Sequence, residues 1–149
     1  MRHKGLLPVT VHAKVAFHDV DFAGITWHGH YLKYLENARW ALFDRIGYSL
    51  DDMTAAAESW PVIDLKVRYV RAARFGDVLA VEASLIDWQS RLVINYRVTD
   101  AATGEPVTRA QTTQVVVAMP GNKLRFDLPS RFIDLVESAL RATTAGAQP

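Results

Sequence analysis

The stretch at residues 18–39, HDVDFAGITWHGHYLKYLENAR, decides the fold because it joins a polar, glycine-containing turn to a helix-like pattern. Apolar residues recur at spacings of three and four from residue 31 onward, which predicts a helix over 30–46. The apolar arc of this helix is wide, so we expect it to be deeply buried against a sheet. Gly47 follows directly and is a plausible C-terminal cap.

Strand-like patterns lie on both sides of this helix. The first, over 9–17, alternates between apolar and polar residues, as a half-buried strand does. After residue 60 we expect four strands and one short extended piece, at 62–70, 78–88, 92–99, 106–117 and 123–127. Two further helices are expected, one capped by Ser49 or Asp51 and ending near residue 58, the other over 130–141. Short turns favour antiparallel neighbours, so the sequence predicts an α+β fold in which an antiparallel sheet of about five strands wraps around a long central helix. Apolar residues on the other face of this sheet favour an oligomer in which a second subunit covers them.

Composition indicates one folded domain over all 149 residues, with the segment 142–149 expected to fray. Half of the residues are hydrophobic and 22% are charged, which is enough to bury a core. The formal net charge of +1 argues against a nucleic-acid partner. The chain has no cysteine, which excludes disulfides and cysteine nucleophiles. Residues 1–8 lack the apolar run of a secretory signal and no stretch is long and apolar enough to span a membrane, so we expect a cytoplasmic protein without a membrane partner.

The densest group of polar side chains lies between the first strand and the long helix: His18, Asp19, Asp21, His28 and His30. One hypothesis is catalysis by a carboxylate. Asp21 shortly precedes the start of the helix, where free N–H groups and a partial positive charge could hold the oxyanion of an attacked thioester carbonyl. Asp21 could attack this carbonyl itself or deprotonate a water, and the sequence leaves both possibilities open.

Three other interpretations compete with this one. Asp19 or Asp21 could simply cap a turn, with the histidines exposed or hydrogen-bonded. The three histidines and Asp21 have the chemistry of metal ligands, but their spacing matches no compact metal motif, so we expect no metal site. A serine hydrolase is rejected because the chain has no G-x-S-x-G elbow.

The same stretch closely resembles the signature of the 4-hydroxybenzoyl-CoA thioesterase family, a group with the hot-dog fold. Asp21, Gly24, Trp27 and Tyr31 match in register the family's sequence of acid, turn glycine, aromatic turn and helix-opening tyrosine. The resemblance continues through RYVRAARFGDVLAVEA, LIDWQSR and LPSRF and covers roughly residues 9–137. It implies a hot-dog fold and hydrolysis of an acyl-CoA, with 4-hydroxybenzoyl-CoA as the sharpest hypothesis and no metal or redox cofactor.

The resemblance also implies roles for particular residues. Asp21 falls on the catalytic carboxylate, and the backbone N–H of His28 falls on the oxyanion donor. Glu36 falls where the hydroxybenzoyl enzyme has an acid near the ring hydroxyl of its substrate. Trp27 and Tyr31 could form walls of the acyl pocket beside the turn glycine, although core packing explains them equally well.

The resemblance also has implications for the binding of coenzyme A and for the assembly of subunits. Arg91 falls within a short basic run that meets the nucleotide phosphates in members with aromatic substrates, but Gln89 and Ser90 replace further basic residues here. The family builds its site between two subunits, so we expect at least a dimer, and a tetramer as the fuller assembly. Two rivals stay open: a binding module for acyl-CoA or acyl-carrier protein without turnover, and a dehydratase that uses His28 with Glu36.

Overall fold

The computed structural model describes residues 5–146 and has the predicted α+β architecture. Its elements in chain order are β1 (Leu6–Lys14), α1 (Tyr31–Ile46), α2 (Leu50–Ala55), β2 (Glu58–Ser59), β3 (Val62–Tyr69), β4 (Val78–Trp88), β5 (Leu92–Asp100), β6 (Pro106–Gln114), β7 (Val117–Ala118), β8 (Lys123–Leu124) and α3 (Ser130–Gly146). Short 3₁₀ turns at Phe17–Asp19 and His28–His30 lie between β1 and α1. No helix among the described residues is long and apolar enough to cross a membrane.

The main sheet has five antiparallel strands in the order β1-β4-β5-β6-β3. Tyr96 of β5, Ala110 of β6 and Val67 of β3 are cross-strand partners and point toward the helix side. Their neighbours in sequence point to the other side, as the two-residue period of a strand requires. A small three-stranded sheet, β2-β7-β8, extends the fold beside α2.

Helix α1 packs on β1 and β4, at one side of the sheet. One face of the helix is buried, and its members are Tyr31, Tyr34, Leu35, Ala38, Leu42, Phe43 and Ile46. Gly47 ends the helix in the left-handed region with φ of 91°, as the sequence predicts, because glycine has no Cβ to clash there. Leu32 remains 37% exposed, so the helix is buried on one face only and not nearly all round as its composition suggests.

Several boundaries differ from the sequence prediction for local reasons. Strand β1 begins at Leu6 and ends at Lys14, because the backbone of Val15 bonds instead to Gly76 and Asp77. Strand β6 ends at Gln114, and the chain then forms β7, which pairs with β2. Ser49 caps α2 as predicted, but the helix already ends at Ala55.

The C-terminal helix is longer than predicted. Helix α3 continues to Gly146 and not only to residue 141, while 147–149 lie outside the described residues. Fraying from residue 142 stays a prediction. The side chain of Thr143 bonds back to the carbonyl of Ala139, and Arg45 of α1 donates to Thr143. The bond from Arg45 attaches the last turns of α3 to α1.

The exposed apolar surface lies at the edge of the sheet and not across its outer face. The outer face carries exposed cations on three neighbouring strands, namely Lys66, Arg68, Arg97 and Arg109. The expectation of an apolar outer face is therefore wrong. Five of the exposed apolar residues follow the edge strand β3 and its continuation, while Phe17, Phe22 and Phe75 lie beside the loop before α1. The five are Val62, Ile63, Leu65, Tyr69 and Val70.

Candidate active site

Asp21 opens a tight turn in the loop between β1 and α1. Its backbone N–H donates to the carbonyl of Ile25 at 2.9 Å, and its carbonyl accepts from Gly24 at 3.0 Å. Gly24 has φ of +79°, and a Cβ added there would meet nothing within 4 Å. The glycine is therefore required by backbone conformation alone.

The carboxylate of Asp21 has two different oxygen environments. Oδ1 accepts the N–H of Ala23 at 2.8 Å, which is the turn-capping role considered above. Oδ2 accepts no hydrogen bond from any of the residues that the structure describes. Asp21 is exposed and lines an open cavity of about 540 Å³, whose other walls are Phe17, Val20, Phe22, Gly24 and Phe75. One oxygen thus fixes the turn and the other is free to react.

Asp19, two residues earlier, has the opposite character. It is only 4% exposed, and it accepts hydrogen bonds from Tyr34 Oη at 2.8 Å, Lys33 Nζ at 2.9 Å and the N–H of Ala16 at 3.1 Å. Burial alone would raise the pKa of Asp19, but these bonds outweigh it and lower the pKa to about 2. Burial and the bond to Asp19 in turn raise the pKa of Tyr34. Asp19 therefore anchors the loop to α1 as a permanent carboxylate.

The entry to α1 presents free backbone donors. Hydrogen bonds of this part of the loop use the N–H groups of Thr26, Trp27 and His30, and within residues 5–146 none uses that of His28. The carbonyl of His28 accepts from Tyr69 Oη at 2.7 Å, and this bond holds the peptide group between His28 and Gly29 in place. Free N–H groups at a helix start, reinforced by the helix dipole, stabilise negative charge.

Trp27 covers this entry from the solvent side. Its ring lies over the backbone of Gly29, so that a Cβ at Gly29 would lie 2.2 Å from the indole. It also contacts the rings of His28 and His30, with centroids 4.8 and 5.2 Å away. Trp27 itself remains half exposed and thus available to a ligand.

A second cavity, of about 310 Å³, lies between the start of α1 and the end of β3. Its walls are Ile25, Thr26, His28, Tyr31, Tyr69, Val70, Arg71 and Ala72. Tyr31 is buried, accepts the N–H of Ala73 at 3.1 Å and packs its ring 5.4 Å from that of Tyr69. Asp21 does not line this cavity. Although Asp21 and His28 belong to the same loop, within one chain they face two different cavities.

Glu36 lies farther along α1, with half of its side chain exposed. It forms an ion pair with Arg39, one turn on. The acid that pairs with Arg39 is therefore half-exposed. His28 interacts instead with Trp27 and Tyr69, so the pair of His28 and Glu36 that a dehydratase would need is not formed.

Arg91 is not brought to the catalytic loop of its own chain. The loop contacts the segment that precedes β4, whereas Arg91 follows the end of that strand. The first and last of the 11 residues of β4 are ten steps of about 3.3 Å apart, or about 33 Å. This length separates Arg91 from Asp21. Arg71 pairs with Glu105 and Arg68 points to the outer face, so these two arginines form no common phosphate-binding patch.

The histidines do not converge with Asp21. His18 is largely exposed and lies 3.7 Å from the carboxylate of Asp19. In the part of the chain that the structure describes, no group of three His, Cys, Asp or Glu side chains could hold a metal ion.

Comparisons with known proteins show which family the chain is similar to. The sequence model of the thioesterase-like superfamily matches residues 15–140. A candidate esterase of Synechocystis is 30% identical over 123 residues, which cover 78% of this chain and 70% of that protein. The 4-hydroxybenzoyl-CoA thioesterase of a Pseudomonas species is 25% identical over 135 residues, covering 85% of this chain and 96% of that one.

Solved structures show the same fold. A DHNA-CoA thioesterase from Staphylococcus aureus superposes with a TM-score of 0.80 at 23% identity, over 95% of this chain and 96% of that one. The Pseudomonas 4-hydroxybenzoyl-CoA thioesterase superposes with a TM-score of 0.77 at 25% identity, over 86% and 98% of the two chains. With the family match over most of its length, the chain belongs to the thioesterase-like superfamily and is a thioester hydrolase with the hot-dog fold.

Proposed function

We propose that the chain hydrolyses acyl-CoA thioesters in the cytoplasm, with the carboxylate of Asp21 as the catalytic group. The observation that carries this proposal is the contrast within one loop: Asp19 is buried and fully bonded, whereas Asp21 is exposed with a free Oδ2. A loop that leads into a helix start and holds one unused carboxylate is suited to attack on a carbonyl. The named activities of the esterase and thioesterase relatives support the same reaction class.

Two routes lead to the same products. In the first, Asp21 Oδ2 bonds to the thioester carbonyl carbon, the carbon–sulfur bond breaks, and the CoA thiolate leaves and takes a proton from solvent. Water then cleaves the mixed anhydride and restores the carboxylate. In the second, Asp21 takes a proton from a water that attacks the carbonyl directly. In both, the free N–H of His28 would stabilise the oxyanion, and water is the only co-substrate.

We infer that the complete site forms between two subunits, in a dimer or a tetramer built from such dimers. Asp21 and His28 face different cavities within one chain, and Arg91 is far from both. Strand β3 is an unpaired edge of the five-stranded sheet and carries exposed apolar side chains, which favours its coverage by a second copy. A second copy would supply the missing walls of the site and could bring its Arg91 to the CoA phosphates.

An aromatic, hydroxylated acyl group such as 4-hydroxybenzoyl fits the walls near the helix start. Tyr31 and Tyr69 offer ring faces and edges there. Glu36 follows Tyr31 by five residues, which is about 7.5 Å along the helix axis and comparable to the length of a hydroxybenzoyl group. Its half-exposed carboxylate can accept a hydrogen bond from a ring hydroxyl.

Thiol release from a panel of acyl-CoAs tests this proposal. We expect Asp21→Asn to lower kcat by at least about 100-fold, because the amide can neither attack nor accept a proton. Asp44 is also an exposed aspartate, but it lies on α1. Asp44→Asn is therefore the matched control and should retain normal turnover. Near-normal hydrolysis by Asp21→Asn would refute the catalytic role. Saturable binding of acyl-CoA by the native protein with no thiol release would point to a binding module instead.

A further inference from the structure

A separate pocket lies at the other end of α1 from the catalytic loop. It has a volume of about 250 Å³ and is bounded by the second half of α1, by α2, by β2 and by the end of β6. Aromatic and aliphatic side chains form half of its walls, and they are Trp40, Phe43, Leu50, Met53 and Trp60. We call it the distal pocket.

One buried polar atom of the distal pocket lacks a partner. Gln114 is only 3% exposed, and its Nε2 donates to the carbonyl of Trp60 at 2.8 Å. A carbonyl can only accept, so the amide orientation is fixed and Oε1 is left as an acceptor. Within the described residues Oε1 has no hydrogen-bond donor. Buried acceptors are rarely left in this state, so a ligand with a donor group suits this position.

The charges around the pocket narrow the choice of ligand. The side chain of Glu58 is almost completely buried, and it accepts from Tyr48 Oη at 2.5 Å and from Trp60 Nε1 at 3.2 Å. Arg125 lies 3.6 Å from its other oxygen, and Arg39 is engaged with Glu36. A buried carboxylate disfavours an anion nearby, so a neutral hydroxyl on an apolar body is the group that fits.

The helix side of β3 lies between the distal pocket and the catalytic end of α1, since the strand runs from Val62, opposite Gln114, to Tyr69, which lines the cavity at the start of α1. We call this surface the groove. The helix packs on β1 and β4, so the helix side of β3 is left open, with Leu65 39% and Tyr69 48% exposed. On the helix wall, Glu36 and Trp40 are four residues apart and therefore lie on one face. Beneath Tyr69, its cross-strand partner Thr108 of β6 is fully buried, and the Thr108 hydroxyl has no partner among the described residues.

From these observations we propose that the groove and the distal pocket hold the acyl chain of the substrate, and that Gln114 Oε1 accepts a hydroxyl at its far end. This rests on the proposed thioesterase function and specifies its substrate class. Tyr31 and Trp40 are nine residues apart, or about 13 Å along the helix. The preferred substrates are thus extended, ω-hydroxylated acyl thioesters, and a single-ring acyl group occupies only the first part of the groove.

Four thioesters separate length from the terminal hydroxyl: 4-hydroxybenzoyl-CoA, butanoyl-CoA, decanoyl-CoA and ω-hydroxydecanoyl-CoA. We expect kcat/KM to be highest for ω-hydroxydecanoyl-CoA. Ser59 is exposed and lines the pocket, so Ser59→Phe fills it without removing packed atoms. This variant should lower kcat/KM for the two ten-carbon esters by about tenfold and leave the two short esters within about twofold.

Gln114→Met removes the acceptor at similar volume, and it also removes the donor to the Trp60 carbonyl, a loss that is common to both ten-carbon substrates. It should lower kcat/KM for ω-hydroxydecanoyl-CoA by about five- to tenfold and change decanoyl-CoA little, which is the effect of one hydrogen bond. Gln111→Met is the matched control, since Gln111 lies on the same strand, faces the other side and bonds to Asn95 at 2.8 Å. Equal effects of Gln114→Met on both ten-carbon esters, or of Ser59→Phe on long and short esters, would overturn the inference while the thioesterase proposal stands.

A binding measurement separates the two proposals if no ester is hydrolysed. Trp40 and Trp60 line the pocket and report occupancy by their fluorescence. Saturable quenching by ω-hydroxydecanoyl-CoA that is lost in Ser59→Phe would support the acyl-binding pocket even though hydrolysis had failed. Absence of such quenching would overturn it.

Discussion

Asp19→Asn tests whether the catalytic loop is held by a buried, ionised carboxylate. The native group accepts from Tyr34, Lys33 and the N–H of Ala16. An amide keeps the shape but has one acceptor oxygen and no charge. Its NH₂ group would face either the Lys33 ammonium or the Tyr34 hydroxyl, so at least one of the native bonds is lost.

The expected loss of stability follows from the exposure of each bond. The bond from Tyr34 is buried, and a hydrogen bond to a charged group contributes about 1.5–3 kcal/mol. The side chain of Lys33 is 53% exposed, so solvent screens its ion pair and it adds less than about 1 kcal/mol. We therefore expect Asp19→Asn to lower the free energy of unfolding by about 2 kcal/mol at pH 7. For a chain of this size that corresponds to a fall in Tm of about 4–8 °C.

The pH dependence distinguishes this mechanism from a simple packing defect. The folded pKa of Asp19, about 2, lies below its usual value of 3.8. Such a group contributes its stability in full above pH of about 5 and loses it progressively as pH falls toward about 2. Urea unfolding followed by tryptophan fluorescence at several pH values should show the native protein and Asp19→Asn converging as the solution becomes acidic. A difference that stays constant down to the lowest pH, or an equal loss in Asp21→Asn, would refute the reasoning.

Two further substitutions probe the acyl side of the site. Glu36→Ala should lower kcat/KM for 4-hydroxybenzoyl-CoA by about tenfold and leave benzoyl-CoA nearly unchanged, because only the former offers a hydroxyl; equal effects in a thiol-release assay would remove Glu36 from recognition. Gly29→Ala should displace the ring of Trp27, since the new Cβ would lie 2.2 Å from it, and so raise KM at nearly constant kcat. Unchanged steady-state constants would show that Trp27 does not contact the substrate.

The sequence predicted most of the fold because periodicity reports directly on strands and helices. Strand β4 and the end of α1 at Gly47 were located correctly from alternation and a terminal glycine. The errors occurred where tertiary hydrogen bonds override local pattern. At Val15 the backbone bonds to Asp77, and at Thr143 a bond from Arg45 lies beyond residue 141, where the helix was predicted to end.

The site was only partly predictable for a related reason. The residue types and spacing of Asp21, Gly24 and Tyr31 identified the loop and its turn. The anchoring role of Asp19 depends on Lys33 and Tyr34, which are 14 and 15 residues away, and no local pattern marks such a pair. The distal pocket depends on Gln114 meeting Trp60, 54 residues earlier, so only the folded chain shows it.

The two aspartates of the loop explain how one short segment can be both rigid and reactive. A catalytic carboxylate must be held within a narrow range of positions, yet one that was itself buried and fully bonded would have no free oxygen. Here the two requirements fall on different residues. Asp19 carries the bonds to α1, and Trp27 donates its N–H to the carbonyl of Asp19 at 3.0 Å, so both ends of the turn are tied to the same anchor. Asp21 is thereby held in a defined position, while its Oδ2 stays available for reaction. Loss of Asp19 should therefore cost stability and positioning together, whereas Asp21→Asn, which keeps the oxygen that accepts from Ala23, should cost reactivity alone.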